Sequence, residues 1–390
     1  MSTPCRRLAA SEAGLDFSAI VRQFLPGFLA AHPELPQRKK RLLERMALCR
    51  SGAFGSTLYQ CSCCGYSQSI PLGCGDRHCP SCQASRSREW LDRQCCSLLP
   101  VPYYHVVFTL PQQLHPLLLR NQALLYKLLF DCAAASLLAF ARQRLGGTPG
   151  ITAILHTWGQ QLNYHPHLHC IVTAGALSDD GQTWSRPKQK RYLFPEAALS
   201  VLFRGKFLVG LRRFQAQLHW PDGLSFARLR TLYDQHWRIY LKRPFGGPQQ
   251  AIAYLANYTH RVAISNSRLQ QLDPEAGTVR FAYRDYADNH RIKSRELRGT
   301  EFLARFCRHL LPRHFTRIRH YGILANNRKQ HDIPQARLLL LSRQSLEVLL
   351  ALQAALTANQ RTRLCPRCHA SQMQTLRSIR PLCSHRCRPP

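Results

Sequence analysis

The chain has 390 residues, enough for two or three domains with at least one sizeable core. Lys and Arg number 54 against 21 Asp and Glu, a formal charge of +33, and a fold this basic repels itself unless a polyanion accompanies it. Nucleic acid is therefore the expected partner, and a membrane surface the weaker one because no basic amphipathic helix stands alone. No uninterrupted apolar run approaches about 18 residues and no signal peptide opens the sequence, which points to a soluble, cytoplasmic protein without a membrane partner. The 17 cysteines are odd in number and cluster, eight between Cys61 and Cys96 and four between Cys365 and Cys387. That pattern reads as zinc rather than disulfides.

Residues 1–50 read as helical, with Phe17, Ile20, Val21, Phe24 and Leu25 on one apolar face and Leu42, Leu43 and Met46 on a second. The basic run Arg38 to Arg41 between them suits solvent or a phosphate. Cys61-x2-Cys64 and Cys79-x2-Cys82 follow, each a tight turn that aims two thiolates at one point. Four thiolates satisfy tetrahedral Zn²⁺, which replaces the core that so short a segment cannot build. Cys61, Cys64, Cys79 and Cys82 are the expected set, with Cys63, Cys74 and His78 as substitutes. A helix over about 84–99 carries Arg86, Arg88 and Arg93.

Tyr103 to Leu110 is a β-branched and aromatic run closed by Pro111, hence a strand. His115 to Leu145 reads as one long helix ended by Gly146-Gly147, and Ile151 to Trp158 as a second strand. The next stretch is His165-Pro166-His167-Leu168-His169-Cys170-Ile171-Val172. As a strand it sends His167 and His169 to one face and Leu168, Cys170 and Val172 into a core. Strand, helix and two antiparallel strands begin a split βαβ, ferredoxin-like sheet. The fold class is thus α+β, an antiparallel sheet with helical insertions preceded by a small zinc-binding domain with helices. Its expected divisions are 1–100, 101–330 and 331–390.

Residues 196–243 read as two helices rich in Arg and aromatics. Gly247-Pro248 opens a further helix in which Tyr254 and Tyr258, four apart, share one face, with His260 and Arg261 at its end. Two alternating segments (262–265 and 278–283), a basic stretch (284–298) and a helix (299–311) come next. Residues 312–322, with Arg317 and Arg319, are too polar for a core and suit a DNA backbone. A Leu-rich helix over 335–358 precedes Cys365-x2-Cys368, with Cys383, His385 and Cys387 some 15 residues on. Cys365, Cys368, Cys383 and Cys387 form a second candidate zinc knuckle.

A divalent metal on His167 and His169 can polarise a scissile phosphate, and a tyrosine hydroxyl can then attack phosphorus. Joining through that link needs no ATP, in keeping with the absence of a GxxxxGK[ST] loop. Imidazoles usually favour Zn, Fe, Ni or Cu, whereas phosphoryl transfer usually takes Mg²⁺ or Mn²⁺, so a third ligand is required. His156, Gln160 and His260 are candidates, with His156 preferred.

These residues resemble a known family. His167-Leu168-His169 is similar to the HUH (His-hydrophobe-His) motif and Tyr254-x3-Tyr258 to the paired-tyrosine motif of rolling-circle transposases. With the zinc segment in front, the chain resembles the IS-ninety-one/ISCR type of insertion-sequence transposase over about residues 15–330. HTWGQQLNYHPHLH (156–169), YLANYTHRVAISNSRL (254–269) and RHYGIL (319–324) carry the likeness. The resemblance implies an enzyme that nicks and rejoins single-stranded DNA through a 5′-phosphotyrosine and moves an element by a rolling-circle route. Tyr254 and Tyr258 would be nucleophiles, His167 and His169 ligands of Mg²⁺ or Mn²⁺, and Arg261, Arg317 and Arg319 DNA contacts. Element ends, target DNA and host replication or helicase proteins would be partners, in a bacterial cytoplasm at the nucleoid. A rolling-circle replication initiator and a non-catalytic zinc-finger DNA-binding protein are the alternatives.

Overall fold

The architecture comes from a computed structural model and is described for residues 15–83, 97–188, 194–245, 262–341, 364–370 and 373–379. The chain opens with α1 (Phe17–Ala31) and α2 (Gln37–Ala47). Asp16 caps α1 by accepting the backbone N–H of Ala19 at 2.8 Å, which satisfies one of the donors a helix start leaves open. A hairpin of β1 (Ser56–Cys61) and β2 (Ser67–Pro71) follows.

The central sheet begins with β3 (Tyr103–Thr109). Two helices cross over it, α3 (His115–Arg120) and α4 (Gln122–Leu145). The single helix expected over 115–145 is broken at Asn121, whose side-chain amide donates to the carbonyls of Leu117 and His219 and whose Oδ1 accepts the His219 N–H. A polar side chain that can bond the local backbone interrupts a helix, and here it pins a distant loop as well. Past β4 (Gly147–Thr148), the chain forms β5 (Gly150–Trp158) and β6 (Tyr164–Thr173), the expected strand pair. β7 (Ala176–Ser178) and β8 (Trp184–Ser185) close a small side sheet with β4.

α5 (Glu196–Arg213) is the first of the two helices expected over 196–243. The second is absent. Residues 227–233 form 3-10 turns and Ile239–Phe245 is a strand, β9, paired with β3. Trp237, fully buried between Phe203 and Phe207 of α5, anchors the turn into that strand. A second sheet follows, β10 (Leu269–Asp273), β11 (Thr278–Asp285) and β12 (Arg291–Arg298), then α6 (Gly299–Cys307). The polar stretch 312–322 contains β13 (Ile318–Gly322), which pairs with β5, so it builds the sheet edge besides presenting basic groups. α7 (Lys329–Leu340) and β14 (Met373–Ile379) are the last described elements.

The central sheet is antiparallel throughout, in the order β13-β5-β6-β3-β9. β3 and β5 both oppose β6, so they run parallel to each other with β6 between them. One face carries Tyr104, Val106, Phe108, Leu155, Leu168, Cys170 and Val172 against α4 and α5, the largest core. α4 spans 24 residues and contains an 18-residue window with a mean hydropathy of 1.7, long and apolar enough to cross a membrane by those measures, although Lys127 and Asp131 interrupt its apolar run. Its buried side chains, Leu125, Leu129, Phe130, Leu137 and Phe140 among them, pack in this core. The opposite sheet face meets α7 through Ile154, Ile171, Ile333 and Leu340. A further core joins α1 and α2 to residues 263–310, with the Phe17 ring tilted against Phe306 at 4.4 Å between ring centroids.

Candidate metal centre and cysteine clusters

Strand parity places the histidines. β6 sends Leu168 and Cys170 to the helix-covered face, so His167 and His169 emerge on the other one. In the β5–β6 register His156 lies directly opposite His167, and Ile154 opposite His169. The ring nitrogens of His156, His167 and His169 all lie within 4.8 Å of one another, close enough to share one ion. Of the expected third ligands, His156 is therefore the one beside the pair. Gln160 turns away, donating to the Tyr286 hydroxyl at 3.1 Å, and His260 lies outside the described residues.

Each histidine is oriented by its surroundings. His167 Nδ1 donates to the His165 carbonyl at 2.7 Å, which leaves Nε2 for a metal. His169 Nδ1 lies 2.9 Å from His105 Nε2, with the two rings stacked at an interplanar angle of 7°. His156 stacks on Trp158 at 4.8 Å. Burial pulls His167 down to about 4, helped by nearby His165, and pulls His105 down to about 3, helped by Lys242. Neutral imidazoles are what a divalent ion needs as ligands. His105 was not anticipated from the sequence. Its signal was a lone histidine inside the apolar run Tyr-Tyr-His-Val-Val-Phe on β3, sharing a face with Val107 opposite His169.

The cysteines divide differently from the sequence expectation. Cys61 and Cys64 do not join Cys79 and Cys82. One group is Cys49, Cys74, Cys79 and Cys82; the other is Cys61, Cys64, Cys365 and Cys368, each with its sulfurs within 4.8 Å of one another. The reason is the β1–β2 hairpin, which carries the first CxxC turn away from the second and toward β14. Cys74, a substitute in the sequence reading, is a member, whereas His78 is not. Its Nδ1 bonds Asp76 at 2.8 Å and its Nε2 accepts the Leu311 N–H at 3.1 Å. Cys49, at the end of α2, had only its isolation as a signal. In this group the Cys49–Cys82, Cys49–Cys79 and Cys74–Cys82 sulfur separations are 3.6, 3.6 and 3.7 Å. A tetrahedron with Zn–S near 2.3 Å has edges of about 3.8 Å, so the set fits zinc. Cys383 and Cys387 lie outside the described residues.

The loop that bears Cys74, Cys79 and Cys82 is clamped to residues 311–317. Arg77 donates to the carbonyls of Phe315 and Pro312. Burial lowers Arg317 to about 10, with Arg77 beside it as the second cause. Arg319 lies over the rings of Phe130 and Phe315 at 4.4 and 5.2 Å, with Asp131 at 4.0 Å, so its guanidinium braces the sheet edge. Tyr254, Tyr258 and Arg261 lie outside the described residues.

Residues 20–110 match the family model described as "Transposase zinc-binding domain", and residues 150–331 match one described as "Putative transposase". The chain is 37% identical over 386 residues to "Putative transposase y4qJ" of Sinorhizobium fredii, covering 94% of this chain and 96% of that protein. It is 33% identical over 295 residues to the "Transposase for insertion sequence element IS801" of Pseudomonas savastanoi pv. phaseolicola, covering 72% and 69%. No solved structure matches. The first cysteine group falls wholly within the zinc-binding match and the histidine strands within the other. The chain belongs to the IS91-type transposases, DNA-cleaving and strand-transferring enzymes, and carries their N-terminal zinc-binding domain.

Proposed function

We propose that the chain nicks and rejoins single-stranded DNA by metal-assisted tyrosine transesterification, with a 5′-phosphotyrosine intermediate, and moves its element by a rolling-circle route. The observation that carries this reading is the three-histidine cluster on the sheet face opposite α4 and α5, in an antiparallel sheet that we read as ferredoxin-like with β13 added at one edge. His156, His167 and His169 would hold one Mn²⁺ or Mg²⁺, and the all-nitrogen donor set favours the softer Mn²⁺. Bound there, the ion would polarise the scissile phosphate and neutralise charge in the transition state. β5 and β6 fix the three rings, and the carbonyl of His165 holds one tautomer.

Tyr254 and Tyr258 are the proposed nucleophiles. Support comes from the residues that follow the tyrosines in the chain. Val262 and Ala263 line a pocket together with Trp158, the residue stacked on His156. Val262 is four steps along the chain from Tyr258, a reach of at most about 14 Å. The attacking oxygen would give up its proton and form the bond to phosphorus as the 3′-oxygen of the preceding nucleotide leaves, conserving one phosphodiester bond. Arg261, Arg317 and Arg319 are proposed as DNA contacts, and host replication or helicase proteins as partners in the cytoplasm. The expected divisions at residues 100 and 330 belong to the same proposal.

The test is cleavage of single-stranded oligonucleotides spanning the element's ends, with Mn²⁺ or Mg²⁺, read as a covalent adduct on a denaturing gel. The adduct should vanish in the Tyr254→Phe/Tyr258→Phe double variant and in His167→Ala/His169→Ala. Tight DNA binding with no adduct under either metal would remove the catalytic assignments and leave a DNA-binding role.

A further inference from the structure

We propose a second zinc site, made by four thiolates drawn from the two ends of the chain: Cys61 and Cys64 with Cys365 and Cys368. It goes beyond the zinc-binding match, which ends at residue 110, and it does not depend on the nuclease reading. The Cys61–Cys368 and Cys64–Cys365 sulfur separations are both 3.6 Å, and all four sulfurs lie within 4.8 Å of one another. A disulfide would bring two sulfurs to about 2.05 Å, whereas the edges of a single-ion tetrathiolate are about 3.8 Å.

The two halves are the same turn built twice. In the first, Cys63 N–H points at the Cys61 sulfur at 3.4 Å and Gly65 N–H closes on the Cys61 carbonyl at 3.1 Å. In the second, Arg367 N–H points at the Cys365 sulfur at 3.4 Å and His369 N–H closes on the Cys365 carbonyl at 3.0 Å. Gly65 and His369, at matching positions, both adopt positive φ, 68° and 53°. A histidine in that conformation is uncommon, and a backbone that places amide N–H groups on sulfur favours the thiolate over the thiol. Two such knuckles facing each other are a built ligand set.

The surroundings give a metal a structural task. β14 pairs with β1 from Cys61↔Met373 to Ser56↔Ile379, yet every β14 residue after Met373 is exposed. Among the described residues the local core is Cys61, Cys365 and Met373, with Tyr59, Cys64, Tyr66 and Cys368 partly buried beside it. So little apolar area among the described residues is a weak hold on a strand that returns from more than 300 residues away, and a metal cross-link would strengthen it. The site would thus fasten the C-terminal segment to the N-terminal hairpin.

Metal analysis of the full-length protein tests this. Cys365→Ser/Cys368→Ser and Cys61→Ser/Cys64→Ser should each lose one zinc equivalent relative to wild type, and the fourfold variant should lose no second one. Tryptic cleavage within 373–379 should accelerate in all three. Full zinc content in the Cys365→Ser/Cys368→Ser variant, losses that add to two, or iron in place of zinc would overturn the proposal. Cys368→His guards against simple misfolding, because it retains a ligand. It should keep its metal while the sulfur-to-cobalt band of Co²⁺-loaded protein weakens, and an unchanged band would count against the site.

Discussion

His105 was not among the expected site residues, yet its Nε2 lies 2.9 Å from Nδ1 of the expected ligand His169. For His169 to offer Nε2 to an ion, its Nδ1–H must donate to His105 Nε2, and such outer partners govern ligand orientation. His105→Leu should raise the metal concentration needed for half-maximal cleavage by about 10- to 100-fold, with the rate largely restored at saturating metal. His105→Gln, which keeps a polar partner, should restore part of the affinity. A metal titration of cleavage with unchanged half-saturation would remove His105 from the site. His309 illustrates a second residue-scale effect. It accepts from Thr157 and donates to the Leu162 carbonyl, and burial lowers it from 6.5 to about 4. Between those values the unfolded chain binds the proton and the folded one does not. The stability it contributes is therefore complete above about pH 6.5 and is lost as pH falls toward 4, by roughly 3 kcal/mol. Denaturant midpoints measured across that window should fall steeply in wild type and less steeply in His309→Gln. The His167/His169 pair was legible in the sequence because period-2 parity needs only neighbours in the chain. Cys49 and His105 were not, because their roles rest on partners 25 or more residues away.

At the scale of elements, close approaches between strands decide tolerance. Gly322 ends β13 with φ of 63°, and a Cβ there would run into the carbonyl oxygen of Pro149. Gly322→Ala must therefore both adopt a left-handed backbone and displace a strand, and it should cost about 2 kcal/mol or more. Equilibrium unfolding measures this; a loss under 0.5 kcal/mol, the ordinary range of surface changes, would show that the edge strand relaxes freely. Most elements were readable: β3, β5, β6, α1, α2 and α5 all follow from periodicity and Gly or Pro punctuation. β9 and β13 were misread for one reason. Ile239–Phe245 and Ile318–Gly322 are rich in Arg, Lys or His, and they become strands because β3 and β5 offer open edges. Edge strands with charged outer groups carry a weak local pattern, since pairing and not propensity makes them.

At the scale of the molecule, charge and metal act together. With a net charge of +33, DNA binding should be dominated by phosphate contacts. Affinity for single-stranded DNA should drop by about a few hundredfold or more between 50 and 200 mM salt if six or more phosphates are neutralised. A shallow salt slope in a filter or anisotropy titration would assign binding to base stacking instead. The division of cysteines was beyond the sequence because two CxxC turns 14 residues apart look like one site until the hairpin between them is placed. The sheet that carries the histidines has a temporal consequence too. Its outer strand β13 is made about 160 residues after β5, the strand it covers. At ribosomal speeds of roughly 5–20 residues per second, β5 waits about 10–30 s with an uncapped edge. A nascent chain of this protein is, for that interval, an open template for strand addition, and the excess of Lys and Arg over Asp and Glu in the part already made sets neighbouring copies against one another.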